Sequence, residues 1–190
     1  MLGAFTMWVW IVLIVLVVLV GLWAVAQYNG FVKLRNIVEE SWKQIDVELH
    51  RRYDLIPNLV ETVKAYAAHE KGALEAVINA RAKAMSAQGP EAKAAAENQL
   101  SQSLKSLFAL AEAYPQLRAV EAFNQLQSSL NQIEEALQQA RRYYNAVVRD
   151  YNAKTQEIPT NVIAGWFHFV GRQFFELTDN TQREPPRVQF

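Results

Sequence analysis

The feature that most constrains this chain is a run of 19 residues, Trp8 to Ala26, reading WVWIVLIVLVVLVGLWAVA without one charged side chain. At about 1.5 Å per residue, a helix of that length matches the roughly 30 Å hydrocarbon core of a bilayer. Helix is the form such a run takes in lipid, because it satisfies its own backbone hydrogen bonds where no water can. Trp8, Trp10, Trp23 and Tyr28 lie near its two ends, where amphipathic rings favour the interface. The expectation is a short external N-terminus and transmembrane helix over 1–27, with the lipid bilayer as the partner of residues 8–26.

A cleaved secretory signal is the competing reading, since Ala24-Val25-Ala26 fits the small-x-small pattern that precedes cleavage. Two features favour the anchor. No Lys or Arg precedes the run, and the run is longer than the apolar core of a signal peptide. Basic residues then set the orientation: none lies before the span, whereas Lys33, Arg35 and Lys43 follow it closely. The positive-inside rule places the C-terminal domain in the cytoplasm and the N-terminus outside, single-pass in the cell (cytoplasmic) membrane.

Composition narrows the choices for the chain beyond the anchor. With 19 basic and 19 acidic residues the formal net charge is zero, so no electrostatic pull toward nucleic acid is expected. The absence of Cys removes disulfides, thiolate metal sites and cysteine nucleophiles together. Seven Gly and six Pro give too little punctuation for a many-stranded protein. Ala, Gln, Glu, Leu and Lys fill long stretches, and these favour helix.

The fold class expected is therefore all-α: the transmembrane helix, then an antiparallel four-helix bundle over 28–157. An aromatic amphipathic segment over 158–176 and a polar tail over 177–190 complete the chain. Phe31, Leu34, Val38, Trp42, Ile45, Leu49 and Tyr53 recur at helical spacing past a hinge at Asn29-Gly30. Asp54 reads as an N-cap with Pro57 in the first turn of a second helix, which runs to about Gln88. Gly89-Pro90 starts a third helix on Leu100, Leu104, Leu107 and Leu110, and Tyr114-Pro115 makes a turn. Phe123, Leu130, Leu137, Tyr144 and Tyr151, spaced by seven, form the seam of a fourth that ends at Ile158-Pro159. With these boundaries the return path exceeds the outward one by about 24 residues, roughly 36 Å. A bend at Asn29-Gly30 or a break inside the fourth helix is then required, and Trp166 ends near the headgroups.

No catalytic, cofactor-binding or metal-binding constellation emerges. His50, His69 and His168 are scattered, and His69-Glu70 begins a zinc-protease pattern whose second ligand position holds Ala73. Asp46, Glu61 and Glu70 suit solvated helix faces as well as an inward site. The polar stretch from Asp46 to Glu61 offers Arg51, Arg52 and Asp54 either as a partner-binding corner or as a capped turn, and the capped turn is preferred. The segment holding Val162, Ile163, Trp166, Phe167, Phe169, Val170, Phe174 and Phe175 either closes the bundle core or meets the membrane interface.

YNGFVKLRNIVEESWKQIDVELHRRYDLIPNLVETVKAYAAHE, with ALAEAYP over 109–115, ARRYYNAVVRDYN over 140–152 and the ending REPPRVQF, resembles the LemA family over nearly the whole chain. The resemblance implies a bacterial, membrane-anchored helical bundle with its N-terminus outside, more distantly like the family's magnetosome-membrane member. It supplies no reaction and no functional residues. The expected role is a non-enzymatic scaffold or adaptor acting through helix–helix contacts with copies of itself or with a membrane protein. No cofactor, nucleic acid or small-molecule substrate is expected. Two rivals are a membrane-shaping protein and an enzyme or metal-binding bundle whose site is not apparent in the residues.

Overall fold

The computed structural model describes residues 2–176, with side-chain environments from residue 7 onward. The chain is all-helical, with no strand among the described residues: α1 Leu2–Tyr66, α2 Lys71–Ser86, α3 Pro90–Ala111, α4 Pro115–Arg118, α5 Glu121–Gln156 and α6 Thr160–Trp166. The polar tail expected over 177–190 lies outside the described residues. α1 includes the apolar run, whose side chains are exposed from Met7 through Leu22. Among the described residues this is the one helix long and apolar enough to cross a membrane.

Two expected breaks are absent. The helix continues through Asn29-Gly30, where a Cβ on Gly30 would collide with the ammonium group of Lys154. Glycine there leaves room for the end of the Lys154 side chain and is not a hinge. The helix also continues through Asp54 and Pro57 to Tyr66, so Asp54 caps nothing. An interior proline costs a helix about 3 kcal/mol. Against that cost, Ile56, Leu59 and Val63 beyond the expected break are each at most 1% exposed. Full burial of such side chains contributes about 1.5–3 kcal/mol apiece, so tertiary packing wins. The helix lengths on which the expected mismatch rested change with these corrections. From Gly30 to its end α1 has 37 residues, and α5, unbroken, has 36.

Two compact units can be distinguished along the chain. The first comprises the chain up to Ser41 together with Ala146–Arg172. Phe31 is its centre: its ring stacks on Phe169 at 4.8 Å and meets Tyr151 edge-on at 6.3 Å. Val38, Val148, Ile163 and Ala164 are buried with it. α6 ends in a left-handed turn at His168, φ 56°. The Phe169 amide donates to the Ala164 carbonyl and the His168 amide to that of Gly165, a Schellman closure built without glycine. Asn152 then holds the outgoing chain at both backbone groups of Arg172, accepting at 2.7 Å and donating at 2.9 Å.

The second unit comprises Trp42–Asn145 and the described residues from Gln173 on. Its core draws on four helical segments: Ile45, Leu49, Ile56, Leu59 and Val63 of α1, Leu74 and Val77 of α2, Leu100, Leu104 and Leu107 of α3, and Phe123, Leu130, Ile133 and Leu137 of α5. α3 begins as expected, with Gly89 at φ 80° and Pro90 in the first turn. That φ suits glycine, and proline there forgoes an amide with no helical partner anyway. Tyr144, on the expected seam, donates its hydroxyl to the Gln173 carbonyl at 2.8 Å. Asn145 grips Phe175, accepting from its amide at 2.9 Å and donating to its carbonyl at 3.0 Å. Phe175 is fully buried against Trp42, so this part of the aromatic segment closes a core.

Candidate functional site

The second unit hides a polar cluster in an otherwise apolar interior. α1 contributes Arg52 and Tyr53, which face inward because they continue the stripe that Ile45 and Leu49 begin. α3 contributes Glu97, wholly buried, one turn before Leu100 on the same face. Tyr53 donates its hydroxyl to Glu97 Oε1. Arg52 Nη1 donates to Glu97 Oε2 at 3.1 Å, and Nη2 donates to Ser101 Oγ at 2.9 Å. Glu134 of α5 lies 3.5 Å from the same guanidinium. Lys93, also buried, donates to the Ala84 carbonyl of α2 at 3.0 Å and stands over the Tyr53 ring at 5.7 Å. One connected set of polar groups thus touches all four helical segments.

Burial raises the Glu97 carboxyl above its ordinary value, while the Tyr53 hydrogen bond and the charges of Arg52 and Lys93 oppose the shift. Burial, and then the bond to Glu97, pushes the Tyr53 phenol far above its usual range. Tyr53 therefore stays a donor. Both Glu97 oxygens are engaged and the residue is fully enclosed. Chemically the cluster is a satisfied buried network, which fixes helix register because any other alignment strands its charges.

The interior proline enters the same structure. Pro57 has no amide to offer the carbonyl four residues back, and that carbonyl belongs to Tyr53. Arg81 of α2 supplies the donor, its Nε reaching the Tyr53 oxygen at 2.8 Å. Arg81 also lines an open groove of about 630 Å³ between the end of α1 and α2. Its apolar lining includes Ile56, Pro57, Val60, Leu74 and Ile78, and Glu61, Lys64, Lys71 and Glu75 add charge.

The residues singled out from sequence are dispersed. Arg52 is in the network, but Arg51 pairs at the surface with Glu48 at 2.9 Å, and Asp54 is exposed in mid-helix. The polar stretch is neither a displayed corner nor a capped turn. Asp46 lies 4.0 Å from His50, Glu61 is exposed at the groove, and Glu70 accepts from the Tyr114 hydroxyl at 3.1 Å. His168 is the left-handed turn residue. Among the described residues no three His, Asp or Glu side chains gather as a metal would require. Lys93 and Glu97 escape a reading of the sequence alone. The signal that finds them is register: stepping back from Leu100 by three residues lands on Glu97, and by four more on Lys93.

A helical unit welded by a buried ion network, on a chain whose first helix is long and apolar enough for a single-pass anchor, defines an all-α protein compatible with membrane attachment. Residues 41–190 match the model of the LemA family, and the chain belongs to that family. No curated protein matches the chain.

Proposed function

We propose that this protein is a non-enzymatic, membrane-anchored adaptor whose cytoplasmic helical domain receives an amphipathic helix of a membrane protein partner. The observation that carries this reading is the groove between the end of α1 and α2. Its apolar lining, ringed by Glu61, Lys64, Lys71, Glu75 and Arg81, has the make-up of a helix-accepting surface. Ile78 stands half exposed on it, ready to be covered. The buried polar network supports the same reading, because a rigid groove needs walls of fixed register and Arg81 joins one wall to the other. Lys33, Arg35 and Lys43 support a cytoplasmic placement.

The test is a photo-crosslinking residue at Glu75 in the full chain in native membranes. A discrete adduct is expected that Ile78→Glu abolishes, since a buried charge opposes an apolar docking face. Adducts unchanged by Ile78→Glu, or matched by the same crosslinker at Gln102, would refute docking in the groove.

A further inference from the structure

The first unit carries an apolar surface that its own packing leaves uncovered. The inner side of the segment after α5 is fixed: Phe169 stacks on Phe31, and the Arg35 guanidinium stands over the Phe169 ring at 5.9 Å. The outer side therefore cannot rotate inward. It presents Val162 and Trp166, one turn apart on α6, followed by Phe167 and Val170. Trp166 is 77% exposed and Val170 73%. Contiguous apolar surface of this kind marks an interaction site in a soluble protein.

The contacts of Phe167 say what covers it. Its ring packs on Tyr28 at 4.7 Å, and that of Phe169 lies 5.7 Å from the same tyrosine. Tyr28 is two residues past Ala26, so the ring sits about 3 Å along the helix axis from the end of the apolar run. The patch is thus continuous with the surface of the span. The charge of the segment itself agrees with this placement, the exposed acids Glu157 and Glu176 lying just outside it. From Thr160 to Phe175 there is no Asp or Glu. The Lys154 ammonium stands over the Phe31 ring at 4.9 Å, against Gly30. That is about 6 Å beyond Ala26 along the axis, the depth of phosphates, since headgroups add roughly 5–8 Å to each side of the hydrocarbon core. Aromatic rings at the rim with cations just outside them is the order of side chains found at a membrane interface.

We propose that this face seats in the same bilayer that holds the span, with Trp166, Phe167 and Val170 at the acyl–headgroup boundary and Lys154 among the phosphates. The chain is then attached twice, by α1 and by the turn after α6, and its first unit is held at the surface instead of swinging on a tether. This inference rests on the anchor reading of residues 8–26, and its test separates the two.

The chain has no native Cys, so single labels are clean. Trp166→Cys and Leu19→Cys each receive an environment-sensitive nitrobenzoxadiazole, and the full-length protein is reconstituted in phosphatidylcholine–phosphatidylglycerol vesicles. Trp166 is mostly exposed, so this change leaves the fold intact, and Val170→Cys serves as a second reporter. Lipid spin-labelled near the top of its acyl chain is expected to reduce emission at 166 and 170 at least twofold, with Leu19 quenched most by a deeper label. If Leu19 is quenched while 166 and 170 behave like free dye in water, the anchor stands and the second contact is wrong. Absence of quenching at Leu19 removes both readings.

Discussion

Glu97 is where the chemistry of single residues weighs most. Its folded pKa lies above the ordinary value of 4.5, chiefly because burial penalises the charge. A raised pKa means that the folded state favours the proton. The stability this confers is complete below the unfolded value and is lost as pH rises through the folded one. Glu97→Gln keeps an acceptor for Tyr53 and removes the titration. Urea midpoints of the two proteins, compared from about pH 4 to about pH 8, should show the native protein losing ground to the variant as pH increases. A difference that moves the other way would mean that the attraction of Arg52 and Lys93 outweighs burial. Neither Glu97 nor Lys93 stands out in the sequence, for a physical reason. An ionisable residue is ordinarily solvated, and only a partner from another helix makes its burial tolerable. Tyr53 is visible as a core position, but its hydroxyl's acceptor lies 44 residues away.

Helices show the same division between local and distant causes. α5 is legible because its pattern is local and long: Phe123, Leu130, Leu137, Tyr144 and Tyr151 are all buried. The start of α3 is legible because Gly89-Pro90 is a local device. The course of α1 is not, because the compensation for Pro57 comes from Arg81 on another helix. That compensation can be measured. Arg81→Ala leaves the Tyr53 carbonyl without a donor and should cost about 1–3 kcal/mol, the range for a stranded buried polar group. In a Pro57→Ala background the restored amide can bond that carbonyl, so the same change should cost markedly less. Thermal melts of the four proteins form a double-mutant cycle. Equal costs in both backgrounds would show that Arg81 stabilises through something other than the carbonyl. Gly30 carries a similar lesson, since the space it leaves for Lys154 is invisible until α5 is in place.

For the molecule as a whole, the all-helical class and the apolar first helix come from composition and one uninterrupted run, both properties of the sequence itself. The aromatic segment cannot be assigned to one role from sequence because it has two sides. Phe169 and Phe175 are buried, while Trp166 and Val170 are exposed, and a short irregular segment has no period from which to read this. Function is least legible, because the role we propose would be defined by a partner's surface, which this chain's own sequence does not contain. To receive a membrane protein's helix in the cytoplasm, as proposed, the chain must hold its helical domain on the cytoplasmic side. Gln102, exposed on α3, becomes the sole thiol in Gln102→Cys. A membrane-impermeant maleimide applied to intact spheroplasts should leave it unlabelled and should modify it fully after lysis. Labelling in intact spheroplasts would place the domain outside the cell and contradict the cytoplasmic adaptor.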